Sequence, residues 1–280
     1  MHKLHITIVT TAVLLLPSCR LWGQGNATEL RLLRENRRLQ EQVDSLRRIV
    51  ESLGTMDELW ADLTGIDDSG WGEGISTLGA SLQGQDRLVA GRLASVFPMM
   101  DIAYHPSVGD RLAGYGRGRN AVILSRAFSR LRGRMDYFRK VFAEYGVPEE
   151  LIPLCVVESA VSREAVSKAG AVGMWQLMPD TARGYGLRVD REEDDRYSVE
   201  RSTVAAAKVL RDLQKNLGSW PLAVMAYNCG AARVRKAVIQ SGTSDPWEVL
   251  KRVPAETKAY LPSLLAVGYL LAYGKEYGIE

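Results

Sequence analysis

The sequence predicts an all-α protein, a helical C-terminal half preceded by a helix of coiled-coil type. Three observations carry that reading. Leu124, Phe128, Leu131, Met135, Phe138, Phe142 and Tyr145 recur at steps of three and four, which lays one apolar face along about six helical turns. Leu32, Leu39, Leu46 and Leu53 recur every seven residues. Few stretches alternate with period two, and there is no strand–helix–strand rhythm.

The chain has 280 residues, of which 46% are hydrophobic and 25% charged, a composition that fits a folded protein of one or two domains plus extras. The formal net charge is only +3, which gives no case for nucleic acid as a partner. The first residues read as an export signal. Lys3 supplies a positive start, and Ile6 to Leu16 is an apolar run interrupted by Thr7, Thr10 and Thr11. The run is too short for a membrane-spanning helix, which needs roughly 20 apolar residues. It closes on Leu16-Pro17-Ser18-Cys19, which resembles a bacterial lipobox except for Pro17. That resemblance implies a lipoprotein signal peptide over residues 1–19, with Cys19 lipidated and the acyl chains holding the protein to a membrane. A plain cleaved signal with an incidental cysteine is the alternative. Export also permits a disulfide between the two remaining cysteines, Cys155 and Cys229; two small buried hydrophobes are the other reading.

Residues 29–53 carry the heptad. With the leucines at d, Glu29, Asn36, Val43 and Val50 fall at a; Leu at d with Val at a favours a two-stranded parallel coil, and Asn36 would fix its register. Self-association as a homodimer is expected, although so short a coil is marginal alone and a single amphipathic helix is the alternative. Residues 54–118 are punctuated by Gly65, Gly70, Gly72, Gly74, Gly79, Gly84 and Gly91, and read as a linker or small helical region without assignable chemistry. From Asn120 the helical pattern runs to Gly146, which ends it, and Pro148 with Glu149 and Glu150 opens the next element. Arginines crowd this helix; a solvated face is their simplest role. Thr203 to Leu217, Leu222 to Tyr227 and Leu261 to Tyr273 are further apolar helical segments.

Chemistry concentrates at a few places. In Leu154-Cys155-Val156-Val157-Glu158-Ser159, one carboxylate closes an apolar helical segment. Burial disfavours its ionised form, so Glu158 could hold a proton near neutral pH and act as a general acid. Ser167 to Gly173 is a small-residue loop, and Gln176 then stands between Trp175 and Met178. Glycines let backbone approach a ligand, and an amide among apolar and aromatic groups suits a polyhydroxylated sugar. Ala226-Tyr227-Asn228-Cys229-Gly230 repeats that combination.

Taken together, Glu158-Ser159, Ser167, Gly170-Ala171, Gly173, Gln176, Met178-Pro179, Thr181-Ala182 and Ala226-Tyr227-Asn228 resemble the catalytic domain of the soluble lytic transglycosylase family. Trp175 and Glu256-Thr257-Lys258-Ala259-Tyr260-Leu261-Pro262 are similar to its membrane-bound lytic murein transglycosylase D branch. The resemblance covers roughly residues 120–267. Val161, Arg163, Ser198 and Cys229-Gly230-Ala231 depart from the family pattern, which puts groove shape and substrate preference in question more than activity. It implies a lysozyme-like helical catalytic domain over 119–280. The expected location is periplasmic, on the outer membrane in preference to the inner. The glycan strands of peptidoglycan are the implied partner; no cofactor and no metal is implied.

The implied reaction cleaves the bond between N-acetylmuramic acid and N-acetylglucosamine. Glu158 serves first as acid and then as base, and a 1,6-anhydromuramyl end is left. Ser167 and Gln176 would bind the muramyl residue and Met178 would shape the wall of the site. Tyr227 would position Glu158 or the substrate, with Asn228 holding its loop. Glu256 and Tyr260 would line the groove, Glu256 alternatively serving as a structural ion-pair partner. Juxtaposed motifs would also bring Cys155 and Cys229 within reach of one bond. The competing readings are a lysozyme-like hydrolase using the same glutamate with water, and a non-catalytic wall-binding scaffold.

Overall fold

The computed structural model describes residues 79–116 and 118–279. Cys19, the signal segment and the heptad of residues 29–53 lie outside the described residues, as does the first part of the glycine-punctuated stretch. The described residues form α-helices, short 3-10 turns and isolated β-bridges, so the all-α expectation stands. The helices are α1 (Gly79–Val96), α2 (Pro106–Tyr115), α3 (Gly118–Arg132), α4 (Met135–Tyr145), α5 (Leu154–Ser159), α6 (Pro179–Gly184), α7 (Val199–Leu217), α8 (Trp220–Cys229), α9 (Ala231–Ser241), α10 (Pro246–Leu250) and α11 (Ala255–Tyr273).

The single helix expected over Leu124–Tyr145 is two. It breaks between Arg132 and Met135, where Gly133 has the weakest helix propensity of any residue but proline. The apolar periodicity runs through the break because Leu131 and Phe138 face the same core, both fully buried. Gly146 closes α4 in the left-handed conformation, as expected, and a 3-10 turn follows at Glu149–Leu151. Helix α7 begins before Thr203, capped by Ser198, whose hydroxyl accepts from Arg201 N at 3.2 Å.

Helix α11 is the axis of the core. Its residues from Tyr260 to Leu270 are buried without interruption, as expected of a helix that is apolar on all sides. It packs against α1, α2, α5 and α8. Closest approach is at Gly268, where a Cβ would stand 2.4 Å from the Phe97 ring, so α1 reaches α11 only because that position carries no side chain.

Residues 79–116, whose sequence offered a linker or a small helical region, form two helices that share this core. Met99 N donates to Glu150 Oε1 at 2.9 Å, and Arg92 pairs with Glu276 at 2.8 Å. Trp247 Nε1 donates to Ala103 O at 2.9 Å, while the Trp247 ring stacks on His105, which caps α2.

Candidate active site

Glu158 sits in the last turn of α5, a helix that is buried throughout: Leu154 to Val157 are inaccessible and Glu158 itself is 7% exposed. The phenol of Tyr260, from α11, donates to Glu158 Oε1. Burial pushes the carboxyl up to about 8; the Tyr260 hydrogen bond opposes that shift, and the Glu256 charge adds to it. Glu256 lies one turn before Tyr260, on the same face of α11. At neutral pH, Glu158 therefore carries a proton.

The backbone around this acid is strained. Ala160 and Val161 leave α5 with φ of 49° and 64°, and Gln176 has φ of 46°. Only one other non-glycine among the described residues, Asp101, has a positive φ. A β-branched valine there is an outlier, and such conformations cost about 1–3 kcal/mol each. Ser159 holds the turn. Its hydroxyl lies 2.9 Å from Met174 O and 3.2 Å from Cys155 O, and it accepts from Ser162 N at 3.1 Å.

The segment expected to bind sugar, Ser167 to Met178, folds back by bridges of Val172 with Val166 and Leu177. Ser167 Oγ accepts from Ala171 N at 2.9 Å, which closes the small-residue loop and leaves its own O–H as a donor. Gly173, at φ 84°, packs so tightly that a Cβ would lie 2.1 Å from Arg196 O. Gln176 Nε2 donates to Gly173 O at 2.8 Å and Ala165 O at 3.1 Å, which fixes the amide's orientation. Its Oε1 is then buried without a hydrogen-bond partner, at a cost of about 1–3 kcal/mol. Met178 is 36% exposed at the start of α6.

Of the two tyrosines, Tyr260 contacts Glu158 directly. Tyr227 donates to Trp175 O at 2.7 Å, next to Gln176. Burial and the neighbouring Glu158 charge hold both phenols protonated well above their usual range. Asn228 Oδ1 accepts from Thr257 Oγ1 at 2.7 Å and so ties the end of α8 to the start of α11. Trp175 is fully buried, with Nε1 on Thr203 Oγ1 at 2.9 Å and Phe138 and Phe142 around its ring. Cys155 and Cys229 are two separate buried thiols; the bond considered between them is not formed.

Three supports were given no role in the sequence reading: Ser159 and Thr257, which it quoted only as motif residues, and Arg196. Arg196 is buried, pairs with Asp194 at 2.7 Å, and donates to Gly170 O at 2.8 Å and Leu177 O at 3.0 Å. It lies in Arg191-Glu192-Glu193-Asp194-Asp195-Arg196, a charge run that reads as solvated surface.

The described residues thus form a helical body that buries one carboxyl, Glu158, beside an amide-bearing loop. Residues 136–250 match the transglycosylase SLT domain. The chain is 41% identical over 139 residues to "Membrane-bound lytic murein transglycosylase D" of Escherichia coli (strain K12), covering 48% of this chain and 30% of that protein. The identity to the protein of that name from Escherichia coli O6:H1 is the same. "Peptidoglycan transglycosylase gp16" of Escherichia phage T7 is 32% identical over 133 residues, 46% of this chain and 10% of that protein. The chain thus spans less than a third of the length of these relatives.

Proposed function

We propose that the chain is a lytic transglycosylase that cleaves the β-1,4 bond between N-acetylmuramic acid and N-acetylglucosamine in peptidoglycan. The observation that carries this is the buried Glu158, protonated at neutral pH and held by Tyr260. Glu158 gives its proton to the glycosidic oxygen as the bond to C1 breaks. The resulting carboxylate, held by the Tyr260 hydroxyl, then takes the proton of the muramyl C6 hydroxyl as that oxygen bonds to C1. A 1,6-anhydro ring forms, no water is consumed, and Glu158 is again protonated. Intramolecular attack of this kind gains from proximity when the ring is held in a reactive shape. Gln176 Oε1 would accept from a sugar N–H or O–H, Ser167 would donate, and Met178 would form wall. Asn228 would hold the tyrosine-bearing turn in place.

The relatives named for murein and peptidoglycan transglycosylases support the substrate class. The lipobox-like segment supports export and anchoring through Cys19, with the domain facing the periplasm from the outer membrane. No helix of the described residues is long and apolar enough to cross a membrane. Residues 29–53 would pair two copies, and the catalytic domain would occupy 119–280.

Glu256 favours one second reading. Its charge reaches Glu158, so a second carboxylate is present that could activate water, as in hydrolases with paired acids. Digestion of purified peptidoglycan with the wild-type chain and Glu158→Gln, followed by mass analysis, separates the readings. Fragments lighter by one water than reducing muropeptides, absent with the variant, are expected. Reducing ends would move the activity to hydrolysis.

A further inference from the structure

A cleft of about 580 Å³ opens between the α3–α4 turn, the segment leaving the Glu158 helix and the start of α7. Gly133, Arg134, Tyr137, Arg163, Tyr197 and Glu200 line it with Ser198 and Val199, and none of them is a residue of the acid site described above. Its chemistry is that of an anion site with aromatic walls. From Gly118 to Met135 the sequence holds five arginines and no acidic residue. Arg126, Arg130 and Arg132 are exposed along α3, and Arg134 continues the row, its Nη1 on Arg130 O at 3.1 Å. Arg163 meets only its sequence neighbour Glu164, at 3.2 Å and with both side chains exposed, a pairing worth little. Tyr197 is 40% exposed, and the Tyr137 hydroxyl is held on Glu200 O at 3.2 Å. Glu200 puts one carboxylate on the rim.

The cleft is joined to the acid by a short path. Arg163 is five positions after Glu158, so their Cα atoms are at most roughly 17 Å apart, and the left-handed turn at Ala160 and Val161 shortens that. Arg130 also reaches this turn, with Nη1 on Ala160 O at 3.3 Å. A peptide of about four residues spans roughly 13 Å when extended. That reach is of the same order as the separation, so a short peptide carried on a sugar bound at Glu158 is placed to extend toward the cleft. In peptidoglycan, the muramyl sugar carries such a stem on its lactyl ether, and the stem has free carboxylates.

We infer that Arg134 and Arg163, walled by Tyr137 and Tyr197, form a binding site for the carboxylates of the peptide stem. The site makes the protein prefer stem-bearing over stripped glycan. This rests on the glycan-cleaving reading above. A guanidinium binds a carboxylate through two parallel N–H bonds, so each arginine can hold one terminus, while Glu200 is placed for a stem amine.

The test compares the full chain with Arg134→Gln/Arg163→Gln on stem-bearing peptidoglycan and on glycan stripped of stems by an amidase. Loss of carboxylate contacts should cut kcat/KM about tenfold or more on the stem-bearing polymer, through KM, and leave the stripped glycan unaffected. Arg134→Lys/Arg163→Lys should recover part of the loss. Titration of a soluble stem peptide into the Glu158→Gln chain, with and without the two arginine changes, reads the cleft without catalysis. Equal losses on both polymers, no loss on either, or unchanged peptide affinity would overturn the assignment. So would a loss confined to binding of anionic phospholipid vesicles. If the unaltered chain cuts neither polymer, the glycan-cleaving reading falls, and the peptide titration alone decides the cleft.

Discussion

Replacing Glu158 with Gln should change how stability depends on pH, by an amount the structure sets. Glutamine keeps the size of the side chain and an oxygen for the Tyr260 hydroxyl, but it cannot ionise. In the wild-type chain the group titrates near its ordinary 4.5 when unfolded and near 8 when folded. Between those values the folded state holds the proton that the unfolded state has released, so stability falls as pH rises. The fall begins at about pH 4.5 and is complete just above pH 8. Within that window each pH unit crossed costs about 1.4 kcal/mol, so between pH 5 and pH 7 the wild-type chain should lose about 2–3 kcal/mol relative to Glu158→Gln. For a domain of this size that is a difference of roughly 5–10 °C in melting temperature. Urea denaturation followed by tryptophan fluorescence, on both chains at both pH values, measures it. The variant should gain on the wild type as pH rises. Stability differences that stay constant across this range would mean that Glu158 ionises normally, and the argument for a proton-bearing acid would fail with them.

Three further outcomes follow from the same geometry. Tyr260→Phe removes the donor that steadies the Glu158 carboxylate after proton transfer; kcat should drop about tenfold to a hundredfold, and the alkaline limb of the pH–rate profile should move to higher pH, because that hydrogen bond is what holds the pKa down. Gly173→Ala forces a methyl group to 2.1 Å from Arg196 O at a φ of 84°, and should cost at least about 3 kcal/mol in denaturant titration. Trp175→Phe deletes the bond to Thr203 and leaves a void against Phe138 and Phe142; a loss of about 2–4 kcal/mol is expected in the same titration.

The helical fold was legible because apolar spacing reports which face is buried, and the core at Leu124, Phe128, Leu131, Phe138 and Phe142 lies where that spacing puts it. The break at Gly133 was not, because two helices that share one core carry one continuous pattern; only the glycine marks it. Residues 79–116 were illegible for a related reason. Their anchors are single long-range contacts, such as Phe97 on Gly268 and Trp247 on His105, and no local periodicity encodes a partner more than a hundred residues away. Glu158, Ser167, Gln176 and the two tyrosines were singled out by motif, yet the motif did not say which tyrosine contacts the Glu158 carboxyl. That depends on the crossing of α5 and α11, and it went to Tyr260.

The most informative departures from local rules lie within one stretch. Between Glu158 and Gln176 the chain buries an ionisable group, strands an amide oxygen and holds three non-glycine residues at positive φ. Sequences that fold well avoid each of these, so finding them together marks a site whose shape is held against its own preference. What holds it lies beneath the site. Arg196 fixes the loop from behind through Gly170 O and Leu177 O; Trp175, fully buried, pins its centre to α7 through Thr203; Ser159 clamps the turn after the acid to Met174 O. On the proposed function, none of the three needs to touch a glycan to matter, because the orientation of Gln176 Oε1 and of the Glu158 carboxyl depends on backbone that would otherwise relax. Glu158 stands out by its burial, but the geometry around it is set by an arginine, a tryptophan and a serine whose packing the motifs do not describe.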